Sequence, residues 1–201
     1  MWSLCKKYAS LLDQVTMESE HHIETLETSV EMLTAVSEED INQLLKLEAE
    51  MFNDGEWFDE LEGFKEELSR ETSCLSVLRN TNSQIVGFAL GVPALNMVDK
   101  LRNVDPAYQV DESMLYIVSI AILPQYRGRS NLDKLIALLM KKANERGCKI
   151  ISAHVPHRHV PAYQRLFKVE DIRSVDEWDG AHIPHHYIEF PLGAVEDTNT
   201  K

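Results

Sequence analysis

The segment QYRGRS, at residues 125–130, combines two arginines, a glycine and the start of a predicted helix. The first backbone N–H groups of a helix have no partner inside the helix, and the helix dipole is positive at that end. Gly128 lets the backbone approach an anion closely, and Arg127 and Arg129 add positive charge beside it. These residues favour the binding of a phosphate or diphosphate. An ordinary solvated turn is the alternative interpretation.

Two predicted elements position this turn. Residues 114–123 form an apolar run, rich in β-branched side chains and bounded by Pro124, which is typical of a strand buried on both faces. After the turn, apolar residues recur at helical spacing, with Ser130 or Asn131 as the N-cap and Gly147 just past the end. The apolar positions of this helix are Leu132, Leu135, Ile136, Leu139 and Ala143.

Histidines are frequent in the second half of the chain, and some have spacings that metal sites use. His157-x-His159 and His182-x-x-His185-His186 would bind zinc if their two loops met. No cysteine or acidic residue with convincing spacing accompanies them, so we predict no metal.

The residues around the turn resemble the acyl-CoA signature of the GNAT superfamily of N-acyltransferases. The resemblance is carried by Ile120-Ala121-Ile122-x-Pro124-x-Tyr126-Arg127-Gly128-Arg129. In the family's pyrophosphate pattern, Gln/Arg-x-x-Gly-x-Gly/Ala, the three named places are occupied here by Gln125, Gly128 and Ser130. Ser130 departs from the pattern. Serine is small enough to fit, but a positive φ at this position would cost free energy and affect coenzyme affinity.

The predicted order of elements, β-α-α-β-β-β-α-β-α-β-β, resembles that of the GNAT fold over residues 29–192. The fold implied is α/β (α+β), a mixed central sheet of about six to seven strands flanked by helices, with splayed central strands. Residues 1–28 are predicted to be an extension with a short helix, residues 93–111 a long connection, and residues 193–201 a polar tail. The predicted strands are 29–37, 74–79, 84–92, 114–123, 149–155, 172–178 and 186–192, and the predicted helices are 38–52, 57–70, 131–146 and 161–167.

The resemblance implies that acetyl-CoA is the cosubstrate and that an amine attacks its thioester directly. Its pantetheine would lie between the splayed strands and pair with backbone groups of Ile120 and Ile122, where an N–H polarises the thioester carbonyl. Both side chains are also suited to the core. The diphosphate contacts implied by the resemblance are Gln125, Arg127, Gly128, Arg129, Ser130 and Asn131.

Candidates for proton transfer come from the end of the fifth predicted strand, the helix after it, and the start of the central strand. The family often uses a tyrosine on that helix to protonate the leaving thiolate, and Tyr163 matches it in part, with a packed aromatic as the alternative. His154, Glu112 and Tyr116 are the candidate bases. His154 has a suitable unperturbed pKa, but a structural role is the alternative for it. For Glu112 the alternative is a surface carboxylate without a catalytic role.

The resemblance places the acceptor pocket among the first two helices, the long connection and the terminal hairpin. The corresponding residues are Glu56, Trp57, Phe58, 96–113 and Trp178. Residues 18–71 hold 18 acidic and 3 basic side chains, which favour a cationic acceptor such as a polyamine, an aminoglycoside-like amine or a lysine side chain unless they only face solvent.

Composition narrows the class of protein. The chain has 201 residues, 44% of them hydrophobic and 26% charged, with a formal net charge of −13, as expected for one globular domain. The acidic balance argues against nucleic acid and anionic membrane as partners. The sequence has no apolar run of about 20 residues and no recognisable secretory signal, and its three cysteines are scattered. We therefore expect a cytoplasmic protein; a homodimer is compatible with the sequence.

Two alternatives to an active N-acetyltransferase stay open at this stage. The first is a GNAT-fold regulatory module that binds acyl-CoA without turnover, which the serine at 130 and the missing obvious base favour. The second is a Rossmann-like nucleotide binder, which is disfavoured because no Gly-x-Gly-x-x-Gly turn is present.

Overall fold

The computed structural model describes residues 27–51, 61–128, 130–167, 169–176 and 184–192. Several residues named in the sequence analysis lie outside these ranges: the predicted tail, Arg129, and the pocket residues Glu56, Trp57, Phe58 and Trp178. The predicted extension also lies outside them, apart from its last two residues, where β1 begins. The strands are β1 (Thr28–Leu33), β2 (Cys74–Asn80), β3 (Ile85–Pro93), β4 (Met114–Ile122), β5 (Ile150–Pro156), β6 (Glu170–Val175) and β7 (His185–Pro191). The helices are α1 (Glu38–Met51), α2 (Leu61–Ser69), α3 (Val98–Val104), α4 (Asn131–Glu145) and α5 (Val160–Leu166).

The strands form one seven-stranded mixed sheet in the order β1-β2-β3-β4-β5-β7-β6. Neighbouring strands are antiparallel except β4 and β5, which are parallel and connected through α4. This confirms the predicted mixed sheet, the β2–β3 hairpin and the strand–helix–strand unit. Parallel neighbours require such a crossover, because the chain must return to the starting edge before the second strand begins.

Helices cover both faces of the centre of the sheet. Leu44 of α1 and Phe64 of α2 are fully buried on one face, and Leu135 and Leu139 of α4 are fully buried on the other. The central strands therefore have apolar side chains on both sides, which explains why β3 and β4 have nearly continuous apolar sequences.

The start of α1 carries a side-chain cap. Ser37 Oγ accepts a hydrogen bond from the backbone N–H of Asp40 at 3.1 Å, and the Ser37 N–H donates to the Asp40 carboxylate at 3.4 Å. This reciprocal pair satisfies two backbone donors at a helix start. Arg79 of β2 also donates to Asp40 at 2.7 Å, which fixes the helix on the sheet.

The connection before β4 differs from the prediction. It contains a single 3-10 turn, Ala94–Met97, followed directly by α3. The prediction of a connection without secondary structure was wrong because seven residues are too few to establish a helical period in sequence. The helix is held by tertiary packing, with Leu101 fully buried against the sheet.

β4 and β5 part after a short shared ladder. They pair through Met114, Leu115 and Tyr116 on β4. Beyond Tyr116, residues 117–122 pair with β3 on one side, while residues 153–156 of β5 pair with β7. The predicted splay of the central strands is therefore present.

Candidate active site

A β-bulge in β4 changes which side chains face each helix layer. Leu90 of β3 pairs with Ser119 and Gly91 pairs with Ile117, so Val118 is an extra residue. Because side chains alternate along a strand, one extra residue puts Ser119 on the same face as Tyr116. The hydrogen bond from Ser119 Oγ to Glu48 of α1, at 3.0 Å, confirms this direction.

Glycine at position 91, opposite the bulge, leaves room for the side chain of Leu115 on β4. A Cβ there would lie 2.6 Å from the Leu115 side chain, which real contacts do not allow. The bulge and its glycine therefore set the local bend of the central strand.

The edge of β4 beyond the bulge presents its backbone to the gap. The Leu123 N–H donates to Val86 O at 3.0 Å, so alternate residues from Leu123 bond to β3. The backbone groups of Ile120 and Ile122 consequently point away from β3, toward the space that β5 has left. Ile122 O accepts a hydrogen bond from Arg127 Nε at 3.0 Å, in agreement with this direction. An extended ligand is able to pair with such an edge as an added strand.

The turn after β4 has the backbone shape of an anion site. Gly128 has φ +76° and Ser130 has φ +60°, and an atom added at the Gly128 Cβ position would meet nothing within 4 Å. Within the described part of the chain, the N–H groups of Gly128 and Ser130 donate no hydrogen bond. They lie directly before α4, whose 15 residues add a favourable dipole for an anion.

Ser130 adopts the positive φ that the sequence analysis identified as costly. It is the N-cap residue of α4, one of the two predicted alternatives, but its side chain makes no cap hydrogen bond. In the left-handed conformation the side chain of Ser130 is not placed to accept from the first turn. Ser130 therefore contributes through its backbone.

Replacing Ser130 by glycine is expected to stabilise the fold. Non-glycine residues pay roughly 1 kcal/mol or more in the left-handed region, and glycine loses part of this gain to its larger unfolded-state entropy. We expect Ser130→Gly to raise the free energy of unfolding by about 0.5–1 kcal/mol, as measured by urea denaturation. Ser130→Ala, which keeps the strain, is the matched control and should not be stabilised. Equal stability of all three proteins would contradict the strain argument.

Three other residues predicted at the diphosphate have distinct positions. Asn131 is 1% exposed, and its amide donates to Tyr126 O at 2.9 Å and accepts from Thr28 Oγ1 at 3.0 Å, so its side chain holds the turn rather than facing the gap. Gln125 lies exposed on the 3-10 turn after β4. Arg127 is exposed and bonds to the end of β4, within reach of the turn.

Glu48 is a candidate that the sequence analysis did not single out. It is 5% exposed, and Ser119 Oγ is its hydrogen-bond donor. Burial raises the pKa of its carboxyl to about 7, although the hydrogen bond from Ser119 favours ionisation. The available signal was an acid at an inward-facing position of α1, four residues after Leu44. A carboxyl with this pKa, hydrogen-bonded to the residue before Ile120, is suited to accept a proton near neutral pH.

Tyr163 lies on α5 within the apolar cluster that also contains Ile122 and Val155. It is 9% exposed and packs edge-on against Phe190, with ring centroids 5.9 Å apart. Burial raises the pKa of its hydroxyl to about 12, so the group is protonated at neutral pH. The hydroxyl makes no hydrogen bond to the part of the chain that the structure describes.

Two of the three base candidates from the sequence, His154 and Glu112, do not present their side chains to the gap. His154 has a fully buried side chain whose ring nitrogens bond to Asp105 and Tyr116, and burial lowers its pKa to about 4. Glu112 is exposed in the turn before β4. At roughly 3.3 Å per residue, the start of β4 at Met114 is already about 20 Å along the strand from Ile120.

The two histidine groups meet in part. His157 Nδ1 lies 2.8 Å from His186 Nε2, and His159 accepts from Arg158. Among the described residues there is no cluster of three or more histidine, cysteine, aspartate or glutamate side chains arranged for a metal ion. His182 lies outside the described residues.

None of the helices that the structure describes combines the length and the apolar character that crossing a bilayer demands.

Solved structures with the same fold are numerous. A ribosomal-protein-S18-alanine N-acetyltransferase from Escherichia coli is 14% identical, with 87% of this chain and all of that chain covered and a TM-score of 0.59. NAA60 from Arabidopsis thaliana, in complex with acetyl-CoA, is 17% identical, with 83% and 100% covered and a TM-score of 0.61. An aminoglycoside 6′-N-acetyltransferase complexed with coenzyme A is 11% identical, with 84% and 99% covered and a TM-score of 0.66.

Sequence comparison identifies the family. No protein with curated function matches the chain significantly. The profile of the Acetyltransferase (GNAT) family matches residues 39–169, which is more than half of the chain and spans α1, the open edge of β4, the turn and α5. Together with the splayed sheet, this match shows that the chain belongs to the GNAT acetyltransferase family.

Proposed function

We propose that this protein transfers the acetyl group of acetyl-CoA to a primary amine. The observation that carries the proposal is the continuity between two binding surfaces. The edge of β4 at Ile120 and Ile122, which does not pair with β5, leads into the turn where the amides of Gly128 and Ser130 donate no hydrogen bond to the residues that the structure describes. An extended pantetheine pairs with the first surface, and the diphosphate binds the second. Structures of two fold neighbours contain acetyl-CoA or coenzyme A, which supports the same ligand here.

We assign Glu48 as the general base. An amine attacks only in its neutral form, so a proton must leave the ammonium before the new C–N bond forms. The Glu48 carboxylate lies beside β4 on the face covered by α1 and α2, the side that the resemblance assigns to the acceptor. Ser119 fixes its orientation through the hydrogen bond that the bulge makes possible.

We assign Tyr163 as the general acid. As the amine nitrogen bonds to the carbonyl carbon, the C–S bond breaks and the coenzyme leaves as a thiolate. Tyr163 donates its phenolic proton to that sulfur, the new amide nitrogen releases its surplus proton to solvent, and solvent reprotonates the Tyr163 phenolate. A backbone N–H at Ile122 polarises the carbonyl during the attack. Its side chain, like that of Ile120, packs in the core and leaves the backbone to bind.

The acceptor that we propose is cationic. α1 begins with Glu38, Glu39 and Asp40 and carries Glu50 near its end, and the whole segment 18–71 is strongly acidic. Such a surface raises the local concentration of a cation. The acids also supply counter-charge to an amine that arrives protonated and gives its proton to Glu48.

A combined binding and turnover assay tests the proposal. We expect acetyl-CoA to raise the thermal midpoint, and we expect release of coenzyme A thiol with polyamines, aminoglycosides or lysine peptides. Binding without thiol release across the amine panel would favour a regulatory module that only binds acyl-CoA. The absence of any stabilisation by acetyl-CoA would contradict both functions.

A further inference from the structure

A buried cluster of polar and aromatic side chains lies where β4 and β5 part. His154 of β5 is at its centre, with Nε2 2.9 Å from Asp105 Oδ2 and Nδ1 3.1 Å from the hydroxyl of Tyr116 on β4. Arg173 of β6 pairs with both oxygens of Asp105 and stacks over the ring of Tyr187 at 4.3 Å. The cluster therefore connects α3, β4, β5, β6 and β7.

The hydrogen bonds of the cluster have one consistent direction. Burial raises the pKa of Asp105, but its bonds to Arg173 and His154 more than offset this, so the net pKa is below its usual value and Asp105 is a carboxylate. A carboxylate only accepts, so His154 Nε2 carries the proton. His154 Nδ1 is then the acceptor, and the Tyr116 hydroxyl is the donor. His154 is held as one neutral tautomer between an ion pair and a tyrosine.

The hydrogen bond between Tyr116 and His154 lies at the point where β4 and β5 separate. Tyr116 is the last β4 residue that pairs with β5, opposite Ser152. His154 lies two residues further along β5, beyond the last β4–β5 pair, and its partner on the other side of β5 is Tyr187 of β7. The bond between Tyr116 and His154 therefore crosses from the end of the shared ladder to the first part of the open gap.

We propose that His154 is a positioning residue: with Tyr116 it fixes how far β4 and β5 part, and so holds the gap at the width that pantetheine requires. This inference rests on the proposed function. Three backbone pairs do not by themselves determine the angle at which two strands separate. A buried side-chain link just beyond the last pair does so, since three tyrosine rings, Tyr108, Tyr116 and Tyr187, enclose the imidazole at centroid distances of 5.8, 5.8 and 5.2 Å.

The surroundings of His154 favour a positioning role over proton transfer to the substrate. Its side chain is 0% exposed and both ring nitrogens are engaged. The charged groups of the cluster are Asp105 and Arg173, with Glu189 bonded to the Tyr187 hydroxyl at 2.7 Å. A base that acts on the acceptor would need a nitrogen directed at the gap.

Kinetics of the full-length protein test this role. Tyr116→Phe removes only the hydroxyl, and His154→Phe removes both hydrogen bonds while keeping an aromatic ring. We expect each to raise the KM for acetyl-CoA and the calorimetric Kd of coenzyme A about 5- to 10-fold, with kcat within about 2-fold of wild type, because a single buried hydrogen bond holds the gap. The double variant should be no worse than His154→Phe.

Tyr108→Phe is the matched control. It removes a buried hydroxyl in the same cluster, but that hydroxyl bonds to Ser152 Oγ of β5 at 3.3 Å and does not link β4 to β5. Its KM for acetyl-CoA and its Kd for coenzyme A should stay near those of wild type. An equal effect of Tyr108→Phe would show a general packing loss and overturn the proposal. A kcat at least 100-fold lower in His154→Phe with unchanged KM would also overturn it, in favour of direct catalysis.

Hydrogen exchange without coenzyme distinguishes failure of this inference from failure of the proposed function. Amides of residues 117–122 should exchange faster in Tyr116→Phe than in wild type, and Tyr108→Phe should not show this change. If wild type fails to bind coenzyme A but the exchange difference is present, the link stands and the function fails. If wild type binds coenzyme A and Tyr116→Phe changes neither exchange nor Kd, the link fails and the function stands.

Discussion

Glu48→Gln is expected to lower kcat about 10²- to 10³-fold and to leave the affinity for acetyl-CoA near that of wild type, because the glutamine keeps the shape of the side chain but cannot take a proton. The carboxyl lies beside β4, outside the predicted contacts with the pantetheine and the diphosphate. The measurement is the steady-state release of coenzyme A thiol with a saturating amine, together with a calorimetric Kd for acetyl-CoA.

The pH dependence identifies the group that the substitution removes. Since the pKa of Glu48 is about 7 in the folded protein, kcat in wild type should rise with pH through an apparent pKa in that region. Ser119→Ala removes the hydrogen bond that favours the ionised form, so its rising limb should move to higher pH. A Glu48→Gln protein with the rate and pH profile of wild type would exclude Glu48 as the base.

The stability of Glu48→Gln provides a check that the variant is folded. The folded pKa of Glu48 lies above its ordinary value of 4.5, so its contribution to stability is present below pH 4.5 and is lost as the pH rises through 7. Replacement by glutamine removes the cost of the buried charge, and we expect about 1–3 kcal/mol more stability at pH 8. A slow enzyme that is also more stable cannot owe its low rate to unfolding.

The parts of the fold that the sequence predicted are those with local signals. The apolar run of β4, the turn with Gly128, the helix α4 and its end at Gly147 follow one another without a gap in sequence. Each depends on side-chain periodicity or on a glycine with positive φ, and both act within a few residues. The positive φ of Ser130 was likewise foreseen as the condition under which serine is costly.

The parts that were missed depend on contacts between distant residues. The bulge at Val118 is visible only when β3 is aligned beside β4. It turns Ser119 toward Glu48, 71 positions earlier in the chain. No local pattern specifies that pairing, and a strand without the bulge would direct Ser119 toward α4 instead. The spacing of residues in the sequence therefore could not identify Glu48 as the candidate base.

Burial also reverses the expectation based on unperturbed pKa values. In the sequence His154 is a candidate base because its ordinary pKa is close to neutral, whereas Glu48 is not singled out. Loss of water disfavours the charged form of both groups, so it lowers the pKa of the histidine and raises that of the carboxyl. The result is a His154 pKa of about 4 and a Glu48 pKa of about 7. The carboxyl, not the imidazole, has the pKa that catalysis near neutral pH needs.

Tyr163→Phe is expected to lower kcat about 10- to 100-fold with little change in acetyl-CoA affinity, because only the proton donor to the thiolate is lost. The ring packing against Phe190 is retained, so the fold should be intact. Tyr126→Phe is the matched control. Tyr126 is buried in the same apolar cluster, but its hydroxyl accepts from Asn80 at 3.4 Å, and its loss should not lower kcat.

The leaving group gives the sharpest test of this role for Tyr163. The thiolate of a more acidic thiol leaves without needing a proton. An acetyl thioester of such a thiol should therefore show a smaller difference in kcat between wild type and Tyr163→Phe. If the difference is the same for acetyl-CoA and for an activated thioester, the hydroxyl does not protonate the sulfur. Its burial, with a pKa raised to about 12, would then reflect packing alone. A difference that shrinks with thiol acidity, while Tyr126→Phe is unaffected, assigns the proton to Tyr163.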